Sequence, residues 1–345
     1  MYARNLLKIA AAAVIGLSMS GAALAQPPLP DDATIKATLE SVYAKVVKMK
    51  GGKNADYIPA LARVNPNIFG IALVTVDGRV FTVGDIKSEV SIQSISKVFT
   101  LALVMEQQGP DIIEKTVGVD ATGQAFNSIV AIETYRGLEM NPLVNPGAIT
   151  TTSMVKGDSR KGIWNSILNF YDGFAGRPLS VNAEVFKSES ETNQRNQAIA
   201  ALMYAYGRIK DNPARATDLY TEQCAVSVNV RDLAEMAATL ANGGRNPVTG
   251  KTVMKAENVP EVLAVMATAG LYDDAGKWLY HTGLPAKSGV GGGIIAVSPG
   301  KFGIAAISPP LDSAGNSYKA QLAITQISRA LGGNPYVVTP AGHMN

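Results

Sequence analysis

One short stretch limits this chain more than any other. Gln93-Ser94-Ile95-Ser96-Lys97 opens onto Val98 to Met105, a run that is apolar apart from Thr100. On a helix, residues three apart share a face with side-chain roots roughly 5–6 Å apart, which brings the Lys97 amine within reach of the Ser94 hydroxyl. A serine in the first turn also sits among backbone N–H groups that have no intrahelical partner, at the positive end of the helix dipole. The apolar continuation leaves almost no polar face, so this helix is expected to be buried on most sides. Burial lowers the pKa of an ammonium group, and a lysine that loses its proton near neutral pH can act as general base for a serine. Ser-x-x-Lys alone recurs by chance on solvated helices; with its apolar continuation it points to a serine acyl-transfer enzyme.

The rest of the composition removes competitors. Only His281 and His343 are present, the latter in a Pro340-Ala341-Gly342-His343 tail. A Ser-His-Asp triad would depend on His281, which reads better as a satisfied loop or strand residue, and a His/Cys metal site has almost no ligands to draw on. Acid–base chemistry therefore falls to Lys, Tyr or Glu. Cys224 is the single cysteine, so no intrachain disulfide can form, and its neighbours suggest a packing residue rather than a reactive thiol. The formal net charge is +3, of which Arg4 and Lys8 supply two, and no basic run or aromatic-basic interleaving marks a nucleic-acid surface.

Those two basic residues precede an apolar stretch from Ile9 to Leu24, and Ala23-Leu24-Ala25 is a small-x-small site before Gln26. Residues 1–25 thus read as a secretory signal peptide, which places the mature protein in the periplasm, free of the membrane after cleavage. Pro27, Pro28 and Pro30 argue against an uncleaved anchor.

Along the mature chain, Asp31-Asp32-Ala33-Thr34 predicts a helix cap, with Ile35, Leu39, Val42 and Val46 on one stripe of a helix running to about Lys50. Ile68 to Val76 and Arg79 to Val83 read as strands joined by an Asp77-Gly78 hairpin. Residues 109–245 carry mostly helical periodicity, including Leu233, Met236, Ala237 and Leu240 before Asn242-Gly243-Gly244. Gly289 to Val297 and Phe302 to Ile307 read as strands around Ser298-Pro299-Gly300, and a last helix covers Ser317 to Leu331. Strands at both ends of a helical middle imply an α+β body, residues 26–108 with 246–345, carrying a mainly helical part over 109–245. The active helix is expected at their junction.

With Lys287-Ser288-Gly289 following late in the chain, the order of motifs resembles the penicillin-recognising serine acylases. More specifically, from Tyr57 to Ser317 the chain resembles the serine-dependent glutaminases of that β-lactamase/transpeptidase-like fold, an antiparallel sheet flanked by helices. The strings that carry the resemblance include Tyr57-Ile58-Pro59, Gln93 to Lys97, Phe126-Asn127-Ser128, Asn141 to Asn145, Ser188-Glu189 with Arg195-Asn196, Tyr220 with Gln223-Cys224, Ala237 to Gly244, Tyr272-Asp273, Gly283 to Val290 and Ser308 to Asp312. The resemblance implies hydrolysis of L-glutamine to L-glutamate and ammonia, with Ser94 as nucleophile and Lys97 as base. Tyr220 and Tyr272 would position or relay the proton given to ammonia, and the Ser94 and Val290 N–H groups would form an oxyanion hole. Glu189 would meet the substrate's α-ammonium, with Tyr57, Asn145, Asn196 and Gln93 around the amino-acid head. It further implies a homodimer or homotetramer and no metal or organic cofactor.

On the residues alone, other readings stand beside these. Tyr57 before a proline can also be read as a packing aromatic and Asn145 and Asn196 as turn or cap residues, while Ser188-Glu189-Ser190-Glu191 reads first as a solvated helix start. Two departures from the family pattern stand out. Asp120-Ala121-Thr122-Gly123 replaces the usual Glu-Pro-Ser-Gly, and Pro146 follows Asn145 where alanine is usual, removing a backbone N–H and restricting Asn145. The alternatives in function are another serine acylase of the same fold, a β-lactamase or transpeptidase, and a periplasmic amino-acid binding protein without turnover. No Ser-Asp-Asn motif supports the first, and a paired Ser94 and Lys97 has no use in the second.

Overall fold

Alternation along short apolar strands sets the architecture. The structure is a computed structural model that describes residues 29–338 apart from Glu139, so the expected leader, its cleavage site and the His343 tail lie outside the described residues. The strands are β1 (Gly70–Thr75), β2 (Val80–Gly84), β3 (Val90–Ser91), β4 (Ser180–Val181), β5 (Val226–Val228), β6 (Ala286–Ser288), β7 (Gly293–Ser298) and β8 (Phe302–Ile307). Five of them form an antiparallel sheet in the order β2-β1-β8-β7-β6, and β3-β5-β4 form a second, smaller one. In β1, Ile71 and Leu73 join one core with Ile294, Ala296, Ile304 and Ala306, while Ala72 and Val74 join another with Ile295, Val297, Ala305 and Ile307. Successive side chains point to opposite faces, so a sheet apolar on both needs helices on both.

Helices Asp32–Val46 and Tyr318–Ala330 cover the first face, through Ile35, Leu39, Val42 and Val46 and through Ala323, Ile324 and Ile327. Helix Val230–Ala241 covers the other, although it lies in the stretch read as the helical part. It approaches so closely that a Cβ on Gly303 would stand 2.0 Å from the Ala238 backbone nitrogen. Helix Arg160–Ala175 joins the same core as helix Val230–Ala241 through Ile163, Ile167, Tyr171 and Phe174, whereas four other middle helices among the described residues bury a separate core around Ile132, Ile149, Ile199, Met203, Ala216 and Tyr220.

Several boundaries shift for local reasons. The first helix is capped by the Asp31 side chain on the Thr34 N–H at 2.8 Å and ends at Val46, not Lys50. The Asp77-Gly78 hairpin is present, with Gly78 at φ 88°. Gly289 to Val297 is not one strand: β6 ends at Ser288, Gly289 to Gly292 make the turn, and β7 begins at Gly293. His281 sits exposed in the last turn of helix Ala275–Thr282, neither loop nor strand.

Candidate active site

Ser94 stands where the small sheet gives way to the buried helix. Gln93–Ile95 form a 3₁₀ turn and the α-helix runs Ser96–Gln108, so Ser94 precedes the α-helix instead of lying in its first turn. Every residue from Ser96 to Met105 is buried, as the apolar run predicts. Gln93 holds a left-handed φ of 50°, one of three positive values among the described non-glycine residues, and Tyr272 at 54° is another. Two strained residues at one site mark a place where the surrounding fold imposes backbone geometry.

Lys97 is buried, and its Nζ donates to Asn145 Oδ1 at 2.7 Å and to Leu143 O at 3.4 Å. Burial pulls its pKa down to about 8. A neutral amine has two N–H bonds and one lone pair; with both donors satisfied by these carbonyls, the lone pair is free to accept a proton. The Tyr220 hydroxyl donates to the same Asn145 Oδ1 at 3.1 Å, and its ring centroid is 5.7 Å from Lys97 Nζ.

Tyr272 comes from the opposite side, its hydroxyl against Ser94 and 3.3 Å from the Ser288 carbonyl. Its pKa is pushed up to about 12 by burial, so it carries its proton. Beneath it lies a residue to which the motif reading assigned no role. Lys287 is fully buried, donates to Gly270 O and Ser288 O at 2.9 and 2.7 Å, and sits 4.2 Å from the Tyr272 ring centroid. Burial, then the charge of Lys97, depresses its pKa well below the usual lysine value. The signal in the sequence was the Lys287-Ser288-Gly289 string itself.

Glycines bring Val290 to the cavity of Ser94. A Cβ on Gly289 would meet the Ile92 carbonyl at 2.7 Å and one on Gly291 the Ser91 carbonyl at 2.3 Å, so only a glycine turn packs this tightly on the segment before Ser94. No backbone carbonyl among the described residues accepts from the Ser94 or Val290 N–H.

The other end of the cavity is built by the helical part. Glu189 on helix Ala183–Thr192 is buried, not solvated, and accepts from Gln93 Nε2 at 3.1 Å. Burial raises its pKa to about 7, against the opposing pull of Gln93 and Lys97. Asn145 Nδ2 donates to Asn196 Oδ1 at 3.0 Å, so these two side chains are one unit rather than separate turn residues. Tyr57 is 54% exposed at the mouth, where Ser188 Oγ accepts from the Ala60 N–H and ties its short helix to that of Glu189. Ser94, Gln93, Tyr57, Asn145, Glu189, Asn196, Tyr220 and Val290 line one cavity of about 120 Å³. A larger one of about 470 Å³, around Trp278, Leu322 and Arg329, contains none of them and has no comparable chemistry.

Pro146 does not disturb this arrangement. It falls in the first turn of helix Asn145–Ser153, where a backbone N–H has no intrahelical acceptor, and the Asn145 N–H still reaches Phe126 O at 2.7 Å. Ala121 to Gln124 lie in a loop that borders a separate cavity behind Tyr272. Cys224 is buried with its thiol pKa raised by desolvation, 3.9 Å from Ser96 Oγ, which is a packing role.

A buried Ser-x-x-Lys helix beside a five-stranded antiparallel sheet, capped by a helical part, is the arrangement of the β-lactamase-like serine acylases. Within that class, a family model described as Glutaminase matches residues 52–336. A glutaminase from Colwellia psychrerythraea is 53% identical over 305 residues, 88% of this chain and 98% of its own. Among solved structures, the probable glutaminase ybaS superposes with a TM-score of 0.88 at 44% identity, over 89% of this chain and 99% of that one. The probable glutaminase from Bacillus subtilis, complexed with 6-diazo-5-oxo-L-norleucine, gives 0.78 at 26% identity, over 90% and 99%. The chain belongs to the glutaminase family, and it is an enzyme of that activity.

Proposed function

We propose that this enzyme hydrolyses L-glutamine through an ester on Ser94. Ser94 Oγ attacks the side-chain amide carbon while Lys97 takes its proton; the carbon–nitrogen bond then breaks, and the proton leaves with ammonia by way of Lys97 and Tyr272. Water attacks the γ-glutamyl ester, the Oγ–carbon bond breaks, and Ser94 recovers its proton. The Ser94 and Val290 N–H groups hold the oxyanion in both steps. Lys287 keeps the Tyr272 ring and the Ser288 carbonyl in place.

One observation carries the reading: a cavity of about 120 Å³ has Ser94 at one end and a buried carboxylate, Glu189, at the other. One Glu189 oxygen is held by Gln93, which leaves the second for an α-ammonium. Asn145, Asn196 and Tyr57 offer polar groups to the rest of the head. The ligand of the Bacillus subtilis neighbour is an L-amino acid with a ketone carbon where glutamine has its amide carbon, which suits the same pair of demands.

Ammonia release tests it. L-Glutamine should be turned over far faster than L-asparagine, whose amide falls one methylene short of Ser94, and a chromogenic β-lactam should be left intact. Equal rates on both amino acids would overturn the head-group reading, and β-lactam turnover would favour the other serine acylases. We also propose that residues 1–25 direct export to the periplasm, which mass spectrometry of the exported protein checks through an N-terminus at Gln26. A homo-oligomer is proposed as well; exposed Val130, Tyr135 and Tyr204 on two packed helices support it, and sedimentation tests it.

A further inference from the structure

A second cavity, of about 110 Å³, opens to the surface on the far side of Tyr272. Its floor is shared with the active site. Asn141 and Val144 line it, Asn145 lines the first cavity, and between them the Leu143 carbonyl accepts from Lys97 Nζ. The ring of Tyr272 forms one wall while its hydroxyl lies against Ser94. Phe126, which lines the first cavity, packs on Tyr272 with ring centroids 4.8 Å apart, and these two rings stand between the cavities.

Water access gives that arrangement a use. A γ-glutamyl group esterified to Ser94 with its head gripped by Glu189 would span the first cavity from one end to the other. The ester on Ser94 must still meet a water, and ammonia must leave from the same place. We infer that the cavity behind Tyr272 is a second aqueous entrance to Ser94, used while the amino-acid head blocks the first. This rests on the acyl-enzyme reading above. Thr122, Gln124, Thr268 and Asp273 give this cavity polar walls that can hydrate it. Opening requires Phe126, a half-buried side chain on a loop, to leave its stack on Tyr272.

The test fills the second cavity without touching the first. Gly276 lies in the first turn of helix Ala275–Thr282, and a Cβ added there meets nothing within 4 Å. Leucine is a better helix former than glycine, so Gly276→Leu should fold, and Gly276→Phe fills more space. Thr268→Phe approaches from the facing helix Val259–Ala269. If water enters here, hydrolysis of the ester slows while its formation does not: kcat and KM should fall together, by about tenfold for the larger side chains, with kcat/KM unchanged. Intact-mass analysis at steady state should show a glutamyl adduct on Ser94. Unchanged kcat in Gly276→Phe and Thr268→Phe would overturn the second entrance, as would a fall in kcat/KM with no adduct. Turnover surviving in Ser94→Ala would overturn the acyl-enzyme reading itself. That result is distinct from a Ser94-dependent enzyme indifferent to the cavity substitutions.

Discussion

The two ends of the substrate cavity are built differently. At the nucleophile end, Ser94, Lys97, Tyr272 and Lys287 are all buried and held by the sheet and the helices and turns packed on it. At the head end, Tyr57 is mostly exposed in the bend before helix Pro59–Ala62, while Asn196, half-buried, and Arg195, exposed, lie in the first turn of helix Gln194–Ala205. Glu189 is the exception, buried like the catalytic groups. Proton transfer needs a dry, fixed geometry, because desolvation is what brings Lys97 to about 8. Recognition of a head group needs access from solvent, and only the group that meets a charge has to be desolvated. Asn145 joins the two ends, accepting from Lys97 and Tyr220 while donating to Asn196.

The largest effects should come from the nucleophile end. Ser94→Ala and Lys97→Ala should each lower kcat by on the order of 10⁴ or more, and the double variant should be scarcely worse, because the pair acts as a unit. Additive losses in ammonia release would separate the two residues and break the assignment.

At the head end, Glu189→Gln should cost about 2–4 kcal/mol in kcat/KM, since it strips a buried ammonium of its partner. Labelling of Ser94 by a fluorophosphonate without an amino-acid head should be unchanged. If both reactions fail alike, the two ends are not separable.

The ends should also titrate separately. On the proposed mechanism Lys97 would act only when neutral and Glu189 would bind an ammonium only when ionised, so both would gain function as pH rises, through about 8 and about 7 respectively. The pH profile of kcat/KM should climb steeply below 7, less steeply to 8, and fall again where the α-ammonium of free glutamine loses its proton. In Glu189→Gln the lower ionisation should vanish while the upper one remains.

The smallest effect tests the bridge. Pro146→Ala should leave KM for glutamine within about twofold and change stability by no more than about 1 kcal/mol, because the proline occupies a helix position that needs no N–H donor. A large rise in KM would show that the proline shapes the Asn145 contact after all.

Most of the nucleophile end was legible along the chain. A Ser-x-x-Lys pattern leading into a run that is apolar apart from Thr100 reports burial of the helix, and the near-continuous apolar runs of β1, β7 and β8 report a sheet covered on both faces in the same local way. The stripe of Ile35, Leu39, Val42 and Val46 and the Asp31 cap belong to the same class of signal. The roles of Tyr220, Tyr272 and Glu189 came from family resemblance, because no local pattern distinguishes them.

Residues far apart in sequence decided the rest. Ser188-Glu189-Ser190-Glu191 has the composition of a solvated helix start, yet Glu189 is buried against Gln93, 96 positions earlier. The 3₁₀ turn at Ser94 and the left-handed Gln93 lie beside a glycine turn almost 200 residues later, packed on that segment. Lys287 looked like one residue of a strand until the fold laid Tyr272 over it. Short-range rules state which side chains share a turn or a face; which faces then meet, and which charges lose their water, is settled only when the whole chain packs.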